Sequence, residues 1–282
     1  CYDDLLPIGQ KLSSKKQMVG QHAPPAHLQV TGVSKSFGGL NALSEIDFEV
    51  ARGEVMALVG DNGAGKSTLM KILAGAYIAD EGNFRIDGGP VSIRSPNDAN
   101  SIGIQIVYQD LALCENLDVA ANLSLGSELV KNGWKFLPRI FRPLDDLKME
   151  LNAKQAIDRL EVRTLQSVRA KVGGLSGGQR QAIAIARAVG VESSIVMLDE
   201  PTAALGVAQT YQVIQVVKNL RKTNHAVIYI SHNMRDIFEI ADRITVLRQG
   251  RNVGVYDKER TNPDEIVMAM TGGLERSLNY GS

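Results

Sequence analysis

The chain is poor in cysteine, has no surplus of either charge and contains no long apolar run. Its two cysteines, Cys1 and Cys114, stand far apart without metal-ligand spacing. That suits a reducing compartment and excludes a disulfide framework. Lysine plus arginine number 31 and aspartate plus glutamate 31. A nucleic-acid binder usually carries a basic excess, so the balance points away from such a partner. No apolar stretch approaches the roughly 20 residues needed to span a bilayer, so work at a membrane must go through a partner. Residues 1–27 lack the basic region and apolar core of a signal peptide. They end near Pro24-Pro25 and are expected to form a flexible tail, and Cys1 in place of Met suggests a fragment or a processed end. There is no internal repeat and no low-complexity tract.

What is present is ordinary globular material, 44% hydrophobic and 22% charged over 282 residues. That length suffices for one large domain or two modest lobes. Leu28 to Val33 and Ile46 to Val50 alternate apolar and polar residues as half-buried strands do. Val55-Met56-Ala57-Leu58-Val59 is a short continuous apolar run, the pattern of a strand covered on both faces. Ile195 to Leu198 and Ala226 to Ile230 repeat it, with a helical period from Val207 to Leu220 between them. Such strand–helix–strand alternation implies a parallel sheet. Residues 115–175 read as helical, interrupted at Trp134-Lys135-Phe136-Leu137-Pro138-Arg139. Arg243 to Tyr256 reads as strand around Gly250, and Asn262-Pro263 opens a last short helix.

The run Gly60-Asp61-Asn62-Gly63-Ala64-Gly65-Lys66-Ser67 follows the buried strand at Val59 and precedes the helical stretch Ser67 to Ala74. Strand, glycine-rich loop and helix in that order make a phosphate loop. Its glycines let successive N–H groups point at one phosphate cluster, and the helix adds its positive end. Lys66 would reach the β- and γ-phosphates, and the Ser67 hydroxyl would ligate Mg²⁺. Asp199 ends a buried strand where a carboxylate can hold the same Mg²⁺ through water. Glu200 beside it is placed to act as a general base or to orient the attacking water. Leu175-Ser176-Gly177-Gly178-Gln179 lies about 110 residues beyond the loop and opens the helical stretch Arg180 to Val189, forming a second anion site. One ATP needs both features, and two copies of the chain arranged head to tail would supply them.

This ordered set resembles the ATP-binding cassette (ABC) ATPases from residue 28 to about 272. The resemblance implies an α/β P-loop NTPase fold: a parallel core sheet, an antiparallel β subdomain, and an α-helical signature subdomain at about 112–188. Residues 1–27 and 273–282 would be tails. It makes Gln109, in Val107-Tyr108-Gln109-Asp110, the Q-loop glutamine that contacts Mg²⁺, and His232 the switch histidine that contacts the γ-phosphate. Phe37 falls where the family stacks an aromatic on adenine. The ATP contacts would then be Phe37, Gly60 to Thr68 (with Asp61, Asn62, Ala64 and Thr68) and Ser176 to Gln179. Catalysis would fall to Glu200, His232 and Gln109, and Mg²⁺ to Ser67, Gln109 and Asp199.

One departure concerns the D-loop, Pro201-Thr202-Ala203-Ala204-Leu205-Gly206, where Gly206 replaces the usual aspartate. It removes a carboxylate from the expected contact between copies and would loosen coupling of two ATP sites. Several local runs resemble monosaccharide importer ATPases most: Gly60 to Gly65, Gly178 to Ala182, Pro201 to Gly206 and Ser231-His232-Asn233-Met234. With no regulatory extension expected after the last short helix, the chain would stand apart from oligosaccharide-importer ATPases. The implied partners are a second copy of the ATPase, transmembrane permease subunits and, indirectly, an extracellular or periplasmic sugar-binding protein. The implied location is peripheral, on the cytoplasmic face of the membrane. A soluble cassette acting on DNA or ribosomes would need a coiled-coil insert or tandem cassettes, which are missing; a weakly hydrolysing regulator is the other alternative. Trp134, Phe136 and Phe141 among Lys135, Arg139 and Arg142 suit either a loop packed on the helical lobe or contact with a membrane component.

Overall fold

The computed structural model describes residues 25–131, 143–162, 165–190 and 193–273. An antiparallel sheet comes first: β1 (Ala26–Phe37), β2 (Leu40–Ala51), β4 (Glu81–Ile86) and β5 (Gly89–Val91), in the spatial order β2-β1-β4-β5. β1 begins two residues before the Leu28 expected from the alternation, because His27 is drawn into the interior. Its ring bonds Asp87 at 2.7 Å and Ser194 at 2.9 Å.

The second sheet runs β10-β9-β3-β8-β7-β6. Here β3 is Val55–Val59, β6 Ile104–Val107, β7 Ile195–Asp199, β8 Ala226–Ile230, β9 Arg243–Arg248 and β10 Arg251–Asp257. All neighbours are parallel except the β9–β10 hairpin. The unbroken apolar runs are explained by the period of two along a strand. Val55, Ala57, Val59, Val196, Leu198, Val227 and Tyr229 point into one core, shared with the helices. Met56, Leu58, Met197, Ile228 and Ile230 point into the other, shared with β1 and β2 and with helix α1 (Lys66–Leu73).

The remaining helices are α2 (Pro96–Ser101), α3 (Val119–Ser124), α4 (Asp146–Arg159), α5 (Gly177–Ala188), α6 (Val207–Lys222), α7 (Met234–Ile240) and α8 (Pro263–Thr271). α8 starts where Asn262-Pro263 indicated: the Asn262 side chain accepts the Glu265 N–H at 3.0 Å, and Pro263 fills the first helical position. The expected helical stretch 115–175 is corrected. Its described part holds only α3, α4 and a 3₁₀ turn at Val172–Gly174. Asp118 caps α3, and Gly126 at φ +83° stands two residues beyond its end. The segment after α4 turns back along α3, where Val119 N–H and Ala120 N–H donate to the Ala170 and Val168 carbonyls. Local apolar spacing cannot distinguish that return strand of loop from another helical turn. The cluster of Trp134, Lys135, Phe136, Arg139, Phe141 and Arg142 lies outside the described residues, as do 1–24 and 274–282.

Candidate nucleotide site

Parallel order brings the chemistry to one edge. β3, β8, β7 and β6 are consecutive neighbours with level registers: Leu58 pairs with Ile230, Asp199 with Ile230, and Val107 with Leu198. Their carboxyl ends release, in turn, the glycine-rich loop at Gly60, the turn to His232, the pair Asp199-Glu200, and the loop to Gln109. Strands lie about 4.8 Å apart, so residues from 60 to 232 in sequence share a strip roughly three strand spacings wide. The crevice outside the carboxyl ends of such strands is where open α/β sheets bind ligands.

The loop is built for close backbone approach. Gly60, Gly63 and Gly65 have φ of +157°, +81° and +104°. A Cβ on Gly65 would lie 2.6 Å from Leu43 Cδ2 and 3.0 Å from the Ala42 carbonyl oxygen. Only glycine lets the loop pass β2 and enter α1 in that left-handed conformation. Lys66 turns back over the loop, its Nζ donating to the Gly60 carbonyl at 2.7 Å and the Asp61 carbonyl at 3.1 Å. Burial lowers the Lys66 pKa from the usual lysine value, while Glu200, Asp61 and Asp199 pull it back up. Burial and the neighbouring Glu200 raise the Asp199 carboxyl, with Lys66 and Lys71 opposing.

Glu200 sits at φ +49°, a left-handed conformation uncommon for a residue with a side chain. Its N–H donates to the Ile230 carbonyl at 2.9 Å, carrying the sheet pairing one residue past the strand. Glu200 Oε1 meets His232 Nδ1 at 2.9 Å. These two expected catalytic side chains therefore touch. The histidine is exposed (74% of its side chain) and the glutamate largely covered (19%), so the imidazole faces outward from the edge.

The oxygen donors this edge carries are Asp199 and Glu200 at the end of β7, with Ser67 in the first turn of α1 and Gln109 just after β6. They are hard ligands of the kind Mg²⁺ accepts. Among the described residues there is no cluster of three or more His, Cys, Asp or Glu arranged to hold a metal. Two adjacent carboxylates and one lysine leave a net negative charge that fits a divalent cation whose remaining ligands are phosphate and water.

Ser176 to Gln179, expected as an anion site, opens α5. Ser176 caps α5 reciprocally with Gln179: Ser176 Oγ accepts the Gln179 N–H at 3.3 Å, and Gln179 Oε1 accepts the Ser176 N–H at 2.9 Å. The two glycines also have packing reasons. A Cβ on Gly177 would come within 2.8 Å of Leu205 Cδ2, and one on Gly178 within 3.1 Å of Gln209 Cα in α6. The serine, the glycines and the start of α6 thus form one packed unit.

Phe37 ends β1, 41% exposed, its ring edge-on to Tyr77 at 5.2 Å with the Lys35 ammonium 5.4 Å from its centre. Sequence reasoning missed Tyr77, which follows α1 and ties Phe37 to the phosphate-loop helix; no local pattern marked it. It also missed Asp236, buried at 3% exposure, whose Oδ2 accepts a hydrogen bond from Thr202 at 2.7 Å. A buried carboxylate in the first turn of a short helix looks, in sequence, like any surface acid. Gly206 proves to be the N-cap of α6, with its N–H 3.3 Å from Gln209 Oε1 and open space where a Cβ would lie, no atom coming within 4 Å.

A phosphate loop, paired carboxylates, a glutamine and a histidine on one parallel edge, with a serine–glycine helix start packed on α6, define an ATP-binding cassette. The family model for ABC transporters matches residues 43–203, and the chain belongs to that family. Among curated relatives, it is 42% identical to the fructose import ATP-binding protein FrcA of Rhizobium meliloti, over 88% of this chain and 95% of that one. It is equally 42% identical to the xylose/arabinose import ATP-binding protein XylG of Sulfolobus acidocaldarius, over 90% and 97% of the two chains. A ribose import ATP-binding protein of Escherichia coli matches at 42% over 87% of this chain, which spans only 46% of that longer protein. Among solved structures, a nucleotide-free ATP-binding cassette from an ABC transporter superposes with a TM-score of 0.72 at 25% identity, covering 87% of this chain and 98% of that one.

Proposed function

We propose that this chain is the ATP-hydrolysing subunit of an importer that energises uptake of a monosaccharide. The chain-length likeness to fructose and xylose/arabinose import ATP-binding proteins supports the direction and cargo class. The observation that carries the hydrolytic reading is the single edge holding Lys66, Asp199, Glu200 and His232, with the last two in hydrogen-bond contact at 2.9 Å.

The backbone N–H groups of Gly60 to Thr68 and the Lys66 ammonium hold the triphosphate. Ser67, Asp199 and Gln109 would hold Mg²⁺, which would supply positive charge to offset that of the phosphates. Glu200 takes a proton from, or orients, the attacking water, while His232 fixes the carboxylate and faces the γ-phosphate. Phe37 provides the adenine platform. Ser176 to Gln179 completes the site of a second copy placed head to tail, so closure follows ATP binding and opening follows loss of the γ-phosphate.

Among the described residues no helix is long and apolar enough to cross a membrane, and coupling to transport falls to permease subunits. A cleft of about 290 Å³ lined by Tyr108, Asp110, Leu111, Leu125 and Arg187, beside Gln109, suits a cytoplasmic segment of such a permease. A sugar-binding protein on the far side would act only through those subunits. Steady-state ATPase rates of wild type and Glu200→Gln test the reading: a loss of a hundredfold or so is expected, and equal rates would sink it. Co-purification of the membrane partner would identify the sugar.

A further inference from the structure

We propose that Asp236 is a positioning residue for ATP hydrolysis, acting through Thr202 to hold Glu200 against His232. It rests on the hydrolytic reading of Glu200 and His232. Two segments face each other here, 200–202 after β7 and 232–236 after β8. They are joined twice, by Glu200 Oε1 to His232 Nδ1 at 2.9 Å and by Thr202 Oγ1 to Asp236 Oδ2 at 2.7 Å. The outer bridge is exposed at the histidine, whereas Thr202 (8%) and Asp236 (3%) are buried. The buried bridge is therefore the one shielded from water competition, and its acceptor is a carboxylate, which makes the bond charge-assisted.

The donor order is fixed. Thr202 gives its only hydroxyl proton to Asp236, so Tyr229, whose hydroxyl lies 3.3 Å from Thr202 Oγ1, donates to Thr202. Tyr229 is the penultimate residue of β8 and is fully buried. The chain Tyr229–Thr202–Asp236 thus pins the turn after Glu200 to the sheet on one side and to α7 on the other.

The turn needs pinning. Glu200 at φ +49° and Ala204 at φ +60° both hold left-handed conformations that side chains disfavour, and Thr202 lies midway between them. Without the anchor the turn keeps its backbone bonds, Glu200 N–H to the Ile230 carbonyl and Ala203 N–H to the Glu200 carbonyl, but loses its side-chain tie to α7, so the turn can shift and carry the carboxylate off the imidazole. The phosphate loop is reached from β3 and does not depend on this anchor, so ATP affinity should survive.

The test uses the full chain and its own ATPase activity. Thr202→Val removes the donor and keeps the shape; Thr202→Ser keeps the donor and drops the methyl. Thr202→Val should lower kcat about tenfold or more, the value of one charge-assisted bond, with KM for ATP within about twofold. Thr202→Ser should restore kcat to within about threefold of wild type. A folded Thr202→Val with wild-type kcat overturns the proposal, as does a Thr202→Ser as impaired as Thr202→Val, which would mean methyl packing. If Thr202→Val fails to fold, Asp236→Ala, which removes the acceptor, is read instead: a fall in kcat at constant KM supports the proposal and an unchanged kcat overturns it. Glu200→Gln run alongside separates the two levels, since an active Glu200→Gln refutes the underlying hydrolytic reading itself.

Discussion

Gly177 and Gly178 are adjacent and look interchangeable in sequence, yet the fold predicts opposite tolerance of a methyl group. A Cβ at 177 would meet Leu205 Cδ2 at 2.8 Å, the far end of a flexible side chain that can rotate away. A Cβ at 178 would meet Gln209 Cα and Cβ, each at 3.1 Å, and Gln212 Oε1 at 2.8 Å. Gln212 can swing aside, but Gln209 Cα is backbone in the first turn of α6, just after Gly206. Relief there requires α5 and α6 to part by a few tenths of an ångström. Overpacking of this kind costs about 1–3 kcal/mol, offset by up to about 1 kcal/mol for replacing a helical glycine by alanine. Net destabilisation by Gly178→Ala is then about 1 kcal/mol, a Tm drop of about 2–4 °C for a domain of this size. Gly177→Ala, with the same helical gain and only a side-chain rotation against it, should melt between the wild-type Tm and about 2–4 °C above it. Thermal unfolding of the three proteins, with and without ATP, is the assay. A Gly177→Ala less stable than Gly178→Ala would refute the packing account and leave anion binding as the reason for both glycines.

Gly206→Asp places a carboxylate at the N-cap of α6 in open space, so Tm should rise by the small gain of a cap over glycine, a few tenths of a kcal/mol, about 1 °C. The Hill coefficient of ATP hydrolysis should rise with it, and an unchanged coefficient would count against a coupling role for this position. Glu54 is buried, its carboxylate accepting Arg243 Nε at 2.6 Å, Arg243 Nη2 at 3.1 Å and the Ala51 N–H at 2.6 Å. In Glu54→Gln the new amide NH₂ must face one of these donors whichever way it turns. A loss of about 3 kcal/mol, or a Tm fall of about 6–12 °C, is expected in a thermal melt. Burial lowers the His225 pKa from the ordinary 6.5, with the Leu220 hydrogen bond opposing. The unfolded chain therefore takes up this proton first, and stability present above the ordinary histidine value declines as pH falls through it towards the lower folded value. Denaturant titrations should show His225→Gln losing less stability than wild type across that window; parallel curves would exclude the linkage.

The legible part of the fold was the part whose signals are local. The unbroken run Val55 to Val59, the glycines of the phosphate loop and the Asn262-Pro263 helix start each encode their conformation within a few residues. The stretch 115–175 was misread because its loops pack on α3 and α5 with apolar spacing that mimics a helix. Glu200 and His232 were named from motifs, but their contact depends on β7 and β8 being neighbours. Tyr77 and Asp236 had no signal, since each matters only through a partner 40 or 34 positions away.

The sequence by itself determined the family and its local elements: a strand, a glycine-rich loop and a helix in order, and two carboxylates at the end of a buried strand. Those properties reside in residue types at short fixed spacings. Only the tertiary structure decided which of these groups meet. The order β3-β8-β7-β6 sets Gly60, His232, Glu200 and Gln109 along one edge, and the close passage of α5 over α6 gives Gly178 its need for no side chain. Strand adjacency and helix approach are settled by burying both faces of one sheet at once, a condition on the whole chain that no local run of residues contains.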